Sequence, residues 1–94
     1  MYKLELNKKA TKAFDKLPTY VINGFREKFR KLVENPYQMA GVETITNPKS
    51  IGILVDKAYR IRVENYRALY TIDDEVITIY ILDIEHRSKV YKKS

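Results

Sequence analysis

Hydrophobic residues are concentrated in three runs in the second half of the chain, and polar residues separate these runs. The runs begin at Tyr59, Tyr66 and Val76 and are rich in β-branched and aromatic residues, which predicts three β-strands. The stretch Glu64-Asn65 predicts a two-residue hairpin loop, because Asn tolerates the left-handed backbone that such turns require. This loop fixes the register of the first two strands.

The predicted register gives the hairpin two different faces, because successive side chains of a strand point to opposite sides. One face carries the arginines: Arg60, Arg62, Arg67, Leu69 and Thr71. The other is predicted to be the core face: Tyr59, Ile61, Val63, Tyr66, Ala68, Tyr70 and Ile72. Arg62 lies directly opposite Arg67, and like charges in that position destabilise a sheet. The cluster indicates either an anion-binding site or a solvated basic surface.

The length of the next loop decides which residues of the third run face the core. A two-residue loop places Ile77, Ile79 and Ile81 on the core face and Thr78, Tyr80 and Leu82 on the arginine face. A three-residue loop through residues 73–75 reverses the two faces. The pattern allows both arrangements.

The first half of the chain predicts one short strand and two amphipathic helices. Residues 2–6 alternate as in a strand, and Asn7 is placed to cap a helix with apolar positions at helical spacing. Pro18 ends that helix and opens a second one, which reaches about Glu34 and has a basic outer face. The two helices are predicted to form a hairpin that covers the core face of the sheet.

These elements predict an α+β fold: an N-terminal strand, a two-helix hairpin, an antiparallel sheet of three to four strands and a short C-terminal segment. Between Pro36 and Ser50 the pattern is weak and predicts a loop with a short extended piece at residues 42–45. Residues 53–55 fit either another strand or a connection. The segment from His86 to Lys93 fits a short helix or a partly ordered tail.

Composition and charge narrow the functions that are expected. The 94 residues predict a single domain over 1–94, and the absence of cysteine excludes disulfides and thiolate metal sites. The N-terminus lacks the apolar run of a signal peptide, and no stretch approaches the length of a membrane span, so a soluble cytoplasmic protein is expected. The net charge of +6 favours a polyanionic partner such as nucleic acid, the ribosome or an acidic protein.

Four short motifs follow one another in the second half of the chain: Tyr59-Arg-Ile-Arg-Val63, Tyr66-Arg-Ala-Leu-Tyr70, Asp74-Glu75 before an apolar strand, and His86-Arg87-x-x-Val90-Tyr91. Together with the predicted order of elements, they resemble the RelE/ParE toxin superfamily, and more closely its RelE branch. The similarity is good from Tyr59 to the end, general from Tyr2 to Pro36, and poor in between.

The resemblance implies a small basic ribonuclease that enters the ribosomal A site, cuts mRNA there and is restrained by a cognate RelB-like antitoxin. It implies that basic residues on the central strands, here Arg60 and Arg62, surround the scissile phosphate. The arginine of the Tyr-Arg-x-x-Tyr motif, which contacts that phosphate, is Arg67 here. The tyrosine that orients the nucleotide matches Tyr91, and Arg87 matches a basic residue of the C-terminal motif.

Cleaving RNA without a metal or cofactor requires the ribose 2′-OH to attack the adjacent phosphate while negative charge grows on the phosphoryl oxygens. Arginines can stabilise that charge, but a guanidinium stays protonated and is unsuited to carrying a proton. His86 is the only histidine in the chain and is the candidate for acid–base transfer, with Glu85 and Glu64 as weaker candidates. No cofactor or metal is expected, since the chain has no metal-ligand spacing or Gly-rich phosphate loop.

Other functions fit the same sequence. For His86, a structural role is the alternative to acid–base transfer, since a lone histidine is more often structural than functional. A toxin of the ParE branch, which shares the fold and poisons DNA gyrase by binding, is one alternative to the ribonuclease. A degenerate family member that survives as the partner of its antitoxin is another. The charge of +6 also predicts that the antitoxin is acidic and partly disordered until it binds. It is expected either to cover Arg60, Arg62 and Arg67 or to displace the segment from His86 to Lys93, and displacement or distortion of that short, charged segment is favoured.

Overall fold

The computed structural model describes residues 1–37, 41–45, 47–51 and 55–90. The elements are β1 (Lys3–Leu6), α1 (Lys8–Asp15), α2 (Thr19–Glu34), β2 (Val42–Ile45), a 3₁₀ turn (Pro48–Ile51), β3 (Ala58–Val63), β4 (Tyr66–Asp73), β5 (Thr78–His86) and α3 (Arg87–Val90). The strands form one sheet in the order β1-β5-β4-β3-β2, in which β1 is parallel to β5 and the other pairs are antiparallel. This architecture confirms the predicted α+β fold.

Both predicted helix starts are confirmed. The backbone N–H of Ala10 donates to Oδ1 of Asn7 at 2.8 Å, so Asn7 caps α1. Pro18 occupies the N-cap position of α2, which then runs to Glu34. The apolar sides of both helices pack on the predicted core face of the sheet. The buried members of this core are Ala10, Val21, Phe25, Phe29, Leu32, Ile61, Val63, Ala68, Tyr70, Ile79, Ile81 and Ile84.

The β3–β4 hairpin has the predicted two-residue loop, which places Val63 opposite Tyr66 and therefore fixes the rest of the register. The left-handed residue of this loop was assigned wrongly. It is Glu64, with φ +56°, that takes the positive φ, and Asn65 does not. The first of the two central positions carries the left-handed backbone in this turn.

The loop between β4 and β5 has four residues, because Asp73 pairs with Thr78. A four-residue loop places the side chains of β5 on the same faces as a two-residue loop would. Ile79 and Ile81 therefore face the core and are fully buried. The expectation that Ile77 also joins the core face was wrong. Ile77 lies in the loop, is half exposed and has φ +49°, which is unusual for a β-branched residue.

A β-bulge interrupts the β4–β5 pairing next to Leu69. Leu69 lies opposite Asp83 whereas Tyr70 lies opposite Ile81, so Leu82 is an additional residue on β5. Beyond the bulge the faces of β5 are reversed. Ile84 consequently joins the main core, and the side chains of odd-numbered residues beyond Leu82 lie on the arginine side.

The predicted extended piece at residues 42–45 is confirmed as β2, an edge strand that pairs with β3. A second, smaller apolar cluster lies on the arginine side of the sheet and consists of Ile45, Ala58 and Leu69, with Val55 packed against it. The arginine side is therefore partly covered. Ile53 and Leu54 of the predicted second piece lie outside the described residues.

Asp74 links the end of the sheet that carries the β4–β5 loop to two other segments of the chain through hydrogen bonds. The hydroxyls of Tyr2 and Tyr37 donate to its two carboxylate oxygens, each at 2.7 Å. These two hydrogen bonds lower the pKa of Asp74, since they stabilise its charged form. At the other end, residues 87–90 of the C-terminal segment form the short helix α3, which was one of its two predicted alternatives. The Arg87 amide donates to the Asn65 carbonyl at 2.7 Å. Of the helices in the described ranges, none is long and apolar enough to span a membrane.

Candidate functional site

The arginine face is the side of β3 and β4 that carries Arg60, Arg62 and Arg67. Arg62 lies directly opposite Arg67 in the β3–β4 register, which confirms the predicted juxtaposition. Cations in directly opposed positions repel each other, so the arrangement requires nearby negative charge. The structure supplies that charge from two neighbouring strands.

Glu43, on the edge strand β2, provides the first carboxylate. It lies opposite Arg60 in the sheet. Its Oε1 is 3.0 Å from Nε of Arg60 and its Oε2 is 3.6 Å from Nη2 of Arg62. The Glu43 side chain is 46% exposed, so it remains open to a ligand. Sequence reasoning missed this residue because the pairing partner of residues 42–45 could not be read from the local pattern.

Glu85 provides the second carboxylate, because the β5 bulge places it directly opposite Arg67. Arg67 itself is 2% exposed. The other two arginines are more accessible, with side-chain exposures of 24% for Arg60 and 50% for Arg62. The arginine face thus has one half-exposed cation (Arg62), one partly exposed cation (Arg60) and one buried cation (Arg67).

His86, the candidate for acid–base transfer, does not lie on the arginine face. It pairs with Tyr66, whose side chain alternates toward the core side, and the two rings meet edge to face with centroids 5.1 Å apart. The physical reason is the bulge, since an unbroken β5 would have placed His86 on the arginine face. Its Nδ1 accepts the Ser88 amide at 3.2 Å and lies 2.9 Å from Oγ of Ser88.

The remaining predicted residues lie at the C-terminal end of the described chain. Arg87 is exposed and begins α3, next to the β3–β4 loop. Tyr91 lies outside the described residues. Tyr70 of the Tyr-Arg-x-x-Tyr motif is fully buried, and burial raises its pKa, so its hydroxyl stays protonated. In the described part of the chain, no three His, Asp or Glu side chains are grouped as metal ligands.

A cleft of about 550 Å³ lies between α2 and the end of the β3–β4 hairpin. Its lining residues are Gly24, Glu27, Lys28, Lys31, Arg62, Val63 and Glu64. Gly24 allows α2 to approach β3 closely, because a Cβ at that position would lie 2.6 Å from Cγ1 of Val63. Nζ of Lys28 donates to the carbonyl oxygen of Arg62 at 2.7 Å. The cleft therefore adjoins the arginine face through Arg62, which belongs to both.

Comparison with protein families gives one match that spans nearly the whole chain. The sequence pattern of the ParE toxin of type II toxin–antitoxin systems (parDE) matches residues 4–91. No curated protein sequence matches the chain significantly.

Solved structures of RelE toxins share the fold. RelE of the archaeal RelE–RelB complex from Pyrococcus horikoshii OT3 is similar, with 24% identity and a TM-score of 0.74 over 94% of this chain and 97% of that chain. The intact E. coli RelBE toxin–antitoxin complex matches with 23% identity and a TM-score of 0.71, over 92% and 96% of the two chains. The RelBE2 toxin–antitoxin complex from Mycobacterium tuberculosis matches with 26% identity and a TM-score of 0.70, over 92% and 98%.

Proposed function

The chain belongs to the ParE toxin family and is a toxin of a type II toxin–antitoxin system with a RelE-like fold, and from this premise we propose that it is a ribosome-dependent mRNA endoribonuclease. The observation that carries the proposal is the position of Glu43 between Arg60 and Arg62 on an accessible surface. A carboxylate held between two guanidinium groups places a proton acceptor next to two phosphate-binding groups.

The cleavage step follows from this arrangement. Glu43 takes the proton of a ribose 2′-OH, whose oxygen then attacks the adjacent phosphorus. The bond from phosphorus to the 5′ oxygen breaks, which leaves a 2′,3′-cyclic phosphate and a 5′ oxygen that takes a proton from water. Arg60 and Arg62 bind the phosphoryl oxygens on which charge develops, and Arg67 raises the positive potential from the floor of the site.

The C-terminal segment has a supporting place in this proposal. Arg87 is exposed beside the β3–β4 loop and is positioned to contact the RNA backbone. Tyr91 follows four positions later in the chain. The resemblance implies that it orients the nucleotide, and we expect its ring to do so by stacking on an exposed base. His86 takes no part in the proton transfer at the arginine face, because it lies on the opposite side of the sheet.

We expect the purified protein to cut mRNA in a defined translation reaction and to leave naked mRNA intact. Primer extension would map the new 5′ ends, and end-group analysis would show 2′,3′-cyclic phosphates. Omitting ribosomes is the control for ribosome dependence. Intact mRNA in the complete reaction, at protein concentrations equal to those of the ribosomes, would contradict the proposed activity.

The family match itself favours a second candidate function, since the matching family is that of the ParE toxin. In that case the chain would poison DNA gyrase by binding and would have no chemistry of its own. A gyrase supercoiling assay with the same preparation separates the two functions. Inhibition of supercoiling together with intact mRNA would establish the second candidate, whereas cut mRNA with unaffected supercoiling excludes it.

We also propose that an acidic antitoxin holds the protein inactive, since three of the similar solved structures are RelE toxins in complex with their antitoxins. The net charge of +6 and the open guanidinium groups favour an acidic segment that folds across this surface. The association rate is expected to fall markedly as salt rises through about 0.15 M, where the Debye length is about 8 Å. Stopped-flow measurements over a salt series test this, and a salt-independent rate would contradict it.

A further inference from the structure

The cleft between α2 and the β3–β4 hairpin is lined by more positive than negative side chains. Three cations line it, Lys28, Lys31 and Arg62, against the two carboxylates Glu27 and Glu64. Glu27 also forms an ion pair with Arg30 at 3.4 Å, and Arg62 one with Glu43 at 3.6 Å. The balance of charge at the cleft is therefore positive.

Lys28 holds its charge at a fixed place in the cleft. Its Nζ donates one hydrogen bond to the carbonyl oxygen of Arg62, at 2.7 Å. That carbonyl lies beyond the last residue of β3 that pairs with β2, which is Ile61. An ammonium group has three N–H donors, so two remain for an anion. Lys31 follows three residues later on α2, so it lies on the same side of the helix.

The cleft and the arginine face are on different sides of the sheet and meet at its edge. The helix α2 packs on the core side, whereas the arginine face is on the other side. Arg62 contacts Glu43 on the arginine face and also lines the cleft. A polyanion that passes Arg62 can therefore continue around the end of β3 from one surface to the other.

We propose that this cleft binds backbone phosphates of the same single-stranded RNA whose scissile phosphate lies on the arginine face. A single strand is flexible enough to bend around the sheet edge at Arg62, whereas a double helix is too stiff to follow that bend. The cleft would fix the strand on one side of the cleavage position and hold the attacked phosphate against Glu43. The inference rests on the proposed function only for the location of the scissile phosphate.

The test is RNA affinity over a salt series, measured by fluorescence anisotropy with a labelled 2′-O-methyl 12-mer that cannot be cut. The double variant Lys28→Gln/Lys31→Gln removes two charges from the cleft. The control Lys8→Gln/Lys12→Gln removes two exposed charges from α1. Loss of two phosphate contacts should lower the slope of log K against log salt by about 1.4 and weaken binding on the order of tenfold at 0.1 M salt. The control should leave the slope unchanged.

Equal effects of the two double variants would overturn the inference, and so would an equally large loss on an RNA hairpin duplex. Circular dichroism melting checks the fold, and if the double variant is unfolded, Lys31→Gln alone should lower the slope by about 0.7. Failure of the proposed function is a separate outcome. If the protein binds RNA through the cleft but cuts no mRNA, the ribonuclease proposal is contradicted and RNA binding by the cleft still holds. If it cuts mRNA but its RNA affinity does not depend on Lys28 and Lys31, the cleft inference is contradicted and the ribonuclease proposal still holds.

Discussion

Replacement of Arg67 by alanine is expected to lower both the stability of the protein and its rate of mRNA cleavage. The side chain is 2% exposed and is among the largest that are fully buried. Truncating a large buried side chain costs about 2–5 kcal/mol of unfolding free energy. Removing a preorganised cation near the developing charge costs about 3 kcal/mol of transition-state stabilisation, which is roughly a hundredfold in rate.

Thermal melts and cleavage rates per folded molecule separate the two effects. Arg67→Lys keeps the charge but loses the planar fork, so it should be more stable than Arg67→Ala and still slow. Arg26→Ala, a change at an exposed arginine of α2, is the matched control and should alter neither quantity. A folded Arg67→Ala protein that cuts mRNA at the wild-type rate would rule out this role.

The position of Arg67 could be predicted from the sequence, but its burial could not. A two-residue loop after Val63 is a local feature, and it alone places Arg67 opposite Arg62. Burial depends on what covers the arginine side, where, for example, Leu69 of β4 packs with Ile45 and Ala58, which are distant in the chain; the local pattern of β4 does not show which side chains cover Arg67. No periodicity within β4 indicates that contact.

In the rest of the fold too, features set by neighbouring residues could be predicted, whereas features set by strand pairing could not. Asn7 and Pro18 act within one turn of the helices they begin, so local chemistry predicted both starts. The bulge at Leu82 leaves no mark in an apolar run, yet it moves Glu85 to the arginine face and His86 away from it. The predicted acid–base residue was therefore displaced by a shift of one residue.

Sequence reasoning also missed Glu43, because the pairing of β2 with β3 could not be read from the local pattern. Replacement of Glu43 is the second change with a large expected effect. Glu43→Gln keeps the shape of the side chain and removes its charge and its ability to take a proton. Loss of a general base typically slows a reaction by about 10²–10⁴-fold, so cleavage is expected to fall by at least about a hundredfold. The fold should survive, since an ion pair this exposed contributes about 1 kcal/mol or less.

RNA affinity distinguishes a base from a residue that only orders the arginines. Without the carboxylate, Arg60 and Arg62 are free to bind phosphate, so Glu43→Gln should bind uncleavable RNA more tightly while it cuts mRNA more slowly. A carboxylate that merely positioned the guanidinium groups would lose binding and cleavage together. Glu5→Gln, at an exposed position of β1, is the control for the change of charge and should leave cleavage unaltered. Wild-type cleavage by Glu43→Gln would remove Glu43 from the mechanism and leave the arginine face as a binding surface whose proton acceptor lies elsewhere.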